Sequence, residues 1–170
     1  PNIDELSALF SINKTLIKDA IRYAASTPGR ACAIGADMGA ALDARSSSSP
    51  NANSLVTLGS HGLLLLSRTP QCPRLQSLSP AAAKEPPPST AGRWQAWWYP
   101  PLDTEVTDAN GAGDAFLAGF TAAFTAQPAG SMTVGEAIAW GQSAAAITLE
   151  SQHTVAPELS QAAVRRRLAE

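Results

Sequence analysis

One stretch constrains this chain more than any other: Thr107-Asp108-Ala109-Asn110-Gly111-Ala112-Gly113-Asp114-Ala115-Phe116-Leu117-Ala118-Gly119-Phe120. Upstream of it, the Trp-rich run 94–99 and Glu105-Val106-Thr107 have β-forming composition, while downstream Phe116, Phe120 and Phe124 recur every four residues. That change from a strand-like to a helix-like period predicts a helix from about Ala112 to Ala126, with Gly111-Ala112-Gly113-Asp114 on its first turn. Backbone N–H groups in a first turn have no intrahelical partner, and the helix dipole adds partial positive charge there. Two glycines, lacking Cβ atoms, let an anionic group come close to that backbone. Asp114 sets a carboxylate at the rim. An anion hole beside a general base suits phosphoryl transfer to a hydroxyl, in which catalysis is mostly positioning and charge stabilisation. A tight turn with an acidic helix start accounts for the same letters without any chemistry, since acids are favoured in first turns anyway.

Composition narrows the function classes. With 170 residues, 45% apolar and a formal net charge of −2, the chain has enough apolar residues for one real core. Nothing is basic enough to call for nucleic acid, and Arg165-Arg166-Arg167 reads as a solvated helix face. The tryptophans of 94–99 have no basic residues among them, so core packing is preferred to a base-stacking surface. Cys32 and Cys72 stand far apart without metal-ligand spacing and read as free thiols of a reducing compartment. No apolar run approaches the length of a membrane span, and no signal peptide opens the chain. The expectation is a cytoplasmic protein, or one of an organelle matrix if a targeting segment precedes Pro1. Because the chain starts abruptly at Pro1-Asn2, inside what reads as a motif, it is expected to be the C-terminal part of a longer protein.

The remaining segments follow in order. Asn2 is suited to cap a helix with acids in its first turn. Asn13 or Thr15 opens a second helix with Leu16, Ile17, Ala20, Ile21 and Ala24 on its inner face, ending before Pro28-Gly29. A further helix is expected over Cys32–Ala44, and Ser46–Ser54 is a low-complexity loop. Leu55–Gly59 has the look of a buried parallel strand, Ser60-His61-Gly62 is a tight turn, and Leu63–Leu66 is a second strand; a plain hairpin explains the same residues. Thr69–Arg93 holds six prolines, too many for a simple hairpin loop, and reads as a peripheral insertion. Trp94–Tyr99 re-enters as a strand. After the helix that closes at Gln127–Gly130, another starts near Thr133 or Val134 with Ile138, Gly141, Ala145 and Leu149 on one face, and Pro157–Ala169 forms a last amphipathic helix.

Three pieces of the chain, in order, resemble one family. Asp108-Ala-Asn-Gly-Ala-Gly-Asp114-Ala-Phe is similar to the second signature of the ribokinase-like (PfkB) sugar kinases, commonly written D-T-x-G-A-G-D-x-F. Asn2-Ile-Asp-Glu5 matches the family's N-x-x-E, and Thr57-Leu-Gly-Ser-His-Gly62 its T-L-G-S-x-G; the signature at 108–114 is much the most specific of the three. The resemblance implies a ribokinase-like α/β fold, a mainly parallel sheet with helices on both faces. Residues 1–170 would form the C-terminal portion of one kinase domain, with the Pro-rich insertion at about 69–93. It also implies ATP-dependent phosphorylation of a sugar or nucleoside hydroxyl, with Asp114 as general base and the N–H groups of Gly111, Ala112, Gly113 and Asp114 as anion hole.

By the same resemblance the backbone at Thr57, Gly59, Ser60 and Gly62 lies along the ATP, Asn2 reaches its phosphates and Gln142 the base edge. Glu5 would hold waters around Mg²⁺, which keeps part of its hydration shell. Asp108, Asn110 and Thr148 stand where family members bind a monovalent cation such as K⁺. Ala109 and Asn110 replace the more usual Thr-Thr or Thr-Gly, which removes a hydroxyl but keeps the Asn110 carbonyl. Sugar recognition in the family comes mainly from the N-terminal half, so the acceptor is not legible and the isolated chain is expected to be inactive. Tyr99-Pro100-Pro101-Leu102 and the Thr148–Pro157 tail resemble pseudouridine kinases within the family. The expected partner is a small sugar or nucleoside, neither nucleic acid nor membrane; a homodimer is open to the full-length protein. The alternative is a non-catalytic nucleotide-binding or regulatory module of the same fold, against which the intact Glu5 and Asp114 speak. A dinucleotide-binding oxidoreductase would need the third glycine of G-x-G-x-x-G, and a P-loop NTPase would need G-x-x-x-x-G-K-[ST]; the chain has neither.

Overall fold

Two helices open the described part of the chain, and a proline separates them. In the computed structural model, residues 14–24, 26–43, 53–68, 94–125 and 132–169 are described. Helix α1, Lys14–Ala24, turns Ile17 and Ile21 one helical step apart toward the same core. Helix α2, Pro28–Asp43, begins at the proline itself. At the first helical position the missing N–H of proline is no loss and its fixed φ is already helical. Pro28 is therefore a start signal as well as a stop, and the helix expected from Cys32 begins earlier. Its Cys32 is buried, which pushes the thiol up to about 11 against the opposing effect of a backbone hydrogen bond at Trp98, so at neutral pH it is an inert packing group.

Strands β1 (Asn53–Thr57), β2 (Leu63–Ser67) and β3 (Gln95–Tyr99) form a sheet in the order β1-β2-β3. Both pairings are antiparallel, with Val56 opposite Leu64 and Leu64 opposite Trp98. This corrects the expectation of a mainly parallel sheet for the described strands. The five residues 58–62 between β1 and β2 reverse the chain directly, whereas a parallel pair needs a crossover of a dozen residues or more. β1 also begins earlier than expected, taking in Asn53 and Ser54 from the low-complexity stretch. One sheet face presents Val56, Leu64, Leu66 and Ala96 to a core that includes Ile17, Cys32 and Met38 from the two helices. On the other face Leu63, Leu65, Trp97 and Tyr99 are buried as well. A sheet buried on both faces shows no alternation in sequence, so apolar runs such as Leu63–Leu66 do not reveal whether their neighbours are parallel or antiparallel.

The described residues fall into two compact units, 14–68 with 94–101 and 102–169. The second is helical. Helix α3 (Ala112–Thr125) and helix α4 (Val134–Leu149) make close contact through small residues, with Gly119 against Ala144 and Trp140, and Gly141 against Phe116. Thr133 caps α4 reciprocally with Glu136, the Glu136 N–H donating to Thr133 Oγ1 at 3.2 Å and the Thr133 N–H to Glu136 Oε2 at 2.7 Å. Ser160 caps the short helix α5, Gln161–Arg167. The last helix is thus shorter than the Pro157–Ala169 segment expected. From α5, Arg167 donates to both carboxylate oxygens of Glu150 at 3.1 and 2.7 Å. Those bonds, a further one from Thr104 and the charge of Arg167 hold the Glu150 carboxyl below its ordinary range. Residues 102–110 form no strand, so the β-forming letters of Glu105-Val106-Thr107 do not act as one. Among the described residues no helix is long and apolar enough to cross a membrane.

Candidate functional site

The turn before α3 is assembled from backbone contacts that no single residue type announces. The Leu149 carbonyl, at the end of α4, accepts from the N–H groups of Thr107 and Asp108 at 2.7 and 3.2 Å. Asp108 then accepts from the Asn110 N–H at 3.0 Å and from its side-chain amide at 3.4 Å, an Asx-type turn. Gly111 follows at φ 78°, a left-handed conformation that glycine adopts without penalty. A Cβ there would collide with the Thr154 carbonyl oxygen. The first helical bond runs from the Ala115 N–H to the Gly111 carbonyl at 2.9 Å.

The result is a bare helix start. The N–H groups of Gly111, Ala112, Gly113 and Asp114 have no acceptor among the described residues. Thr133 and Ser160 cap α4 and α5 with their side chains, but at α3 a glycine stands where such a cap would be. Among the described residues a Cβ added at Gly113 meets nothing within 4 Å, so no packing demand among them explains that glycine. Asp114 is exposed, and no hydrogen bond or ion pair engages its carboxylate among the described residues. Unpaired donors, an open approach and a free carboxylate within one helical turn can hold an anion and accept a proton beside it.

The other expected residues sort by unit. In the second unit, Gln142 is half-buried along α4, and Thr148 is fully buried with a hydroxyl that has no partner among the described residues. Thr148 is one residue from the Leu149 carbonyl that anchors the turn, and its own carbonyl accepts from the Ser151 N–H at 3.1 Å. Asp108, Asn110 and Gly111–Asp114 are thus brought into one turn with the end of α4 beside it, while Gln142 sits further back along α4. In the first unit, Thr57 ends β1 and Gly59–His61 forms a 3₁₀ turn, with Gly59 at φ 60° and Gly62 at φ 85°. Asn2, Glu5, Cys72 and the Thr69–Arg93 insertion lie outside the described residues. Among those described, no group of three or more His, Cys, Asp or Glu could hold a metal. A groove of about 470 Å³, lined among others by Glu150, His153, Arg166 and Arg167, includes none of the expected site residues.

Sequence reasoning missed the Leu149 and Thr154 carbonyls as supports of the turn. Backbone atoms carry no residue-type signal, and the only hint was the loose likeness of the tail after Thr148.

Comparison with protein families matches residues 93–161 to the pfkB family carbohydrate kinases. The match spans β3, the turn, α3, α4 and the first residue of α5, and leaves residues 1–92 outside. None of the curated proteins compared with the chain matches it.

Proposed function

We propose, from a chain whose residues 93–161 match the pfkB family of carbohydrate kinases, a phosphotransferase that moves the γ-phosphoryl group of ATP to a sugar or nucleoside hydroxyl. The observation that carries this reading is the bare start of α3: four N–H groups without acceptors, a glycine at 113 with open space above it, and the unengaged Asp114. An open space that a Cβ would fill fits a phosphate group approaching the backbone closely. In the reaction, the Gly111–Asp114 N–H groups would stabilise charge on the transferring phosphoryl oxygens. Asp114 would take the proton of the attacking hydroxyl. Aspartate is a weak base, which suffices because a loose transition state asks for little early deprotonation.

The backbone at Gly59 and Ser60 would lie along the nucleotide, with Thr57 and Gly62 at the ends of that turn; Asn2 and Gln142 would contact phosphate and base. Mg²⁺ would be held through Glu5 and the nucleotide phosphates, neutralising charge between them. Asp108, Asn110 and Thr148 would support a monovalent cation, and the buried, unpartnered Thr148 hydroxyl is a polar group in want of a ligand there. The acceptor is taken to be a sugar or, by the likeness of the Tyr99–Leu102 and Thr148–Pro157 segments to pseudouridine kinases, a nucleoside.

Asp114→Asn tests the assignment. In the full-length protein it should leave the MgATP dissociation constant within a few-fold while removing most acceptor-dependent ADP release, because it deletes the base and keeps the N–H groups. Near-normal turnover in that variant would sink it.

A further inference from the structure

The Trp-rich strand has one member that does more than fill a core. Along β3, Trp94, Ala96 and Trp98 share the sheet face of Val56, Leu64 and Leu66. Trp98 is only half-buried, and its indole N–H donates to the His61 carbonyl at 2.9 Å. His61 belongs to the turn between β1 and β2. That turn is closed by bonds from the Leu58 N–H to the Gly62 carbonyl at 2.8 Å, from His61 N–H to Leu58 at 3.2 Å and from Gly62 N–H to Gly59 at 3.2 Å. With Trp98 on His61, the carbonyls of Leu58, Gly59, His61 and Gly62 are all engaged. The N–H groups of Gly59 and Ser60, both exposed, have no acceptor among the described residues. Gly62 lies so close under β3 that a Cβ would collide with the Tyr99 carbonyl oxygen and come within 3.0 Å of Pro100 and Pro101. The turn is therefore held against β3 at two successive residues, His61 and Gly62.

We infer that Trp98 is a positioning residue for nucleotide binding: its indole N–H fixes the His61 carbonyl so that the Gly59 and Ser60 N–H groups stay turned outward as phosphate donors. The inference rests on the kinase reading above, in which this turn lies along the ATP. A turn held in its binding geometry before the ligand arrives loses less freedom on binding. Linkage makes the effect reciprocal, so bound nucleotide must in turn strengthen the Trp98–His61 bond.

Trp98→Phe keeps a ring in the core and deletes the donor. Titration calorimetry with MgATP should give a dissociation constant about 3- to 10-fold weaker than that of the unmodified chain, the range expected for one hydrogen bond. Trp98→Ala should weaken binding at least as much. If Trp98→Phe lowers only the melting temperature and the folded protein binds MgATP with unchanged affinity, Trp98 is a packing residue and the inference is wrong. Hydrogen exchange of the Trp98 indole N–H in the unmodified chain gives a second measurement that does not depend on the variant folding. Saturating MgATP should slow that exchange several-fold, and no slowing overturns the inference. Failure of the unmodified chain to bind MgATP at all would instead remove the kinase reading, and this inference with it.

Discussion

A methyl group added at Gly111 would run into the Thr154 carbonyl oxygen on a backbone held at φ 78°, whereas one added at Gly113 would meet nothing within 4 Å. Two glycines of one motif thus differ: folding accounts for Gly111, and the proposed phosphate site would account for Gly113. Gly111→Ala should cost roughly 1–3 kcal/mol, the usual penalty for forcing a side chain into left-handed backbone, seen as a lower melting temperature with or without nucleotide. Gly113→Val should change stability by no more than roughly 1 kcal/mol, since valine is the better helix former, yet lose most of its MgATP affinity. Calorimetric titration alongside thermal melts separates the two, and a Gly113→Val protein that binds MgATP normally would show that phosphate never comes close to that backbone. In sequence the glycines are identical letters, and the motif spacing predicted both at an anion hole. What distinguishes them is the segment around Thr154, whose carbonyl reaches Gly111 across the fold. The sequence could nominate Asp114 because a carboxylate needs a residue type; it could not nominate the Leu149 carbonyl that accepts from the turn or the Thr154 carbonyl packed against Gly111, because any residue supplies a carbonyl.

Elements were legible where a local signal fixed them. The Thr133–Glu136 capping box marks the start of α4, and the phenylalanine period marks α3. Strand direction was legible only in the plain hairpin reading of Leu55–Leu66, which the antiparallel β1–β2 pairing bears out; burial of Leu63–Leu66 on both faces favours neither direction, and the short 58–62 connection decides it. Contacts between elements give two predictions. At the α3–α4 contact a Cβ on Gly141 would sit 2.8 Å from the Phe116 ring and 2.9 Å from its carbonyl oxygen. Gly141→Val should therefore destabilise the protein by roughly 1–3 kcal/mol through overpacking, measurable by urea unfolding; an unchanged midpoint would mean that the helices slide apart freely. The α5 contact is electrostatic. Arg167 and Thr104 bond Glu150 and lower its carboxyl below the ordinary 4.5, so the folded state favours the ionised form. Its contribution is complete above the unfolded value and is lost as pH falls through the lower, folded one. The pair is partly exposed, at 23% for Arg167 and 36% for Glu150, and so contributes little. At about pH 7 Arg167→Met should reduce stability by no more than roughly 1 kcal/mol. As pH falls through the lowered, folded value of Glu150, the two melting curves should draw together. A gap that widened on acidification would contradict this origin.

At the scale of the molecule, the family match and the two units do not coincide: residues 93–161 take in β3 from the first unit and most of the second. Each unit holds one set of N–H groups without acceptors among the described residues, at Gly59–Ser60 in the first and at Gly111–Asp114 in the second. If either serves a nucleotide, MgATP must stabilise the unit that binds it, because a ligand bound only by the folded state adds RT ln(1 + [L]/Kd) to its stability. At a hundredfold excess over Kd this is about 2.7 kcal/mol, or roughly 5–10 °C in melting temperature for a chain of this length. Asp114→Asn should keep that rise, since its N–H groups remain, and Gly113→Val should lose most of it. Trp98→Phe should show a smaller rise at any fixed subsaturating MgATP concentration. A panel of sugars and nucleosides added with MgATP and K⁺ to the full-length protein would then identify the acceptor by a further rise or by ADP release, whereas the isolated chain should release no sugar-dependent ADP. Melting that is indifferent to millimolar MgATP would mean that neither set of donors holds phosphate. Catalytic assignments at Asp114 would then have no bound nucleotide to act on, and the bare start of α3 would be a tight turn with an acidic first turn and nothing more.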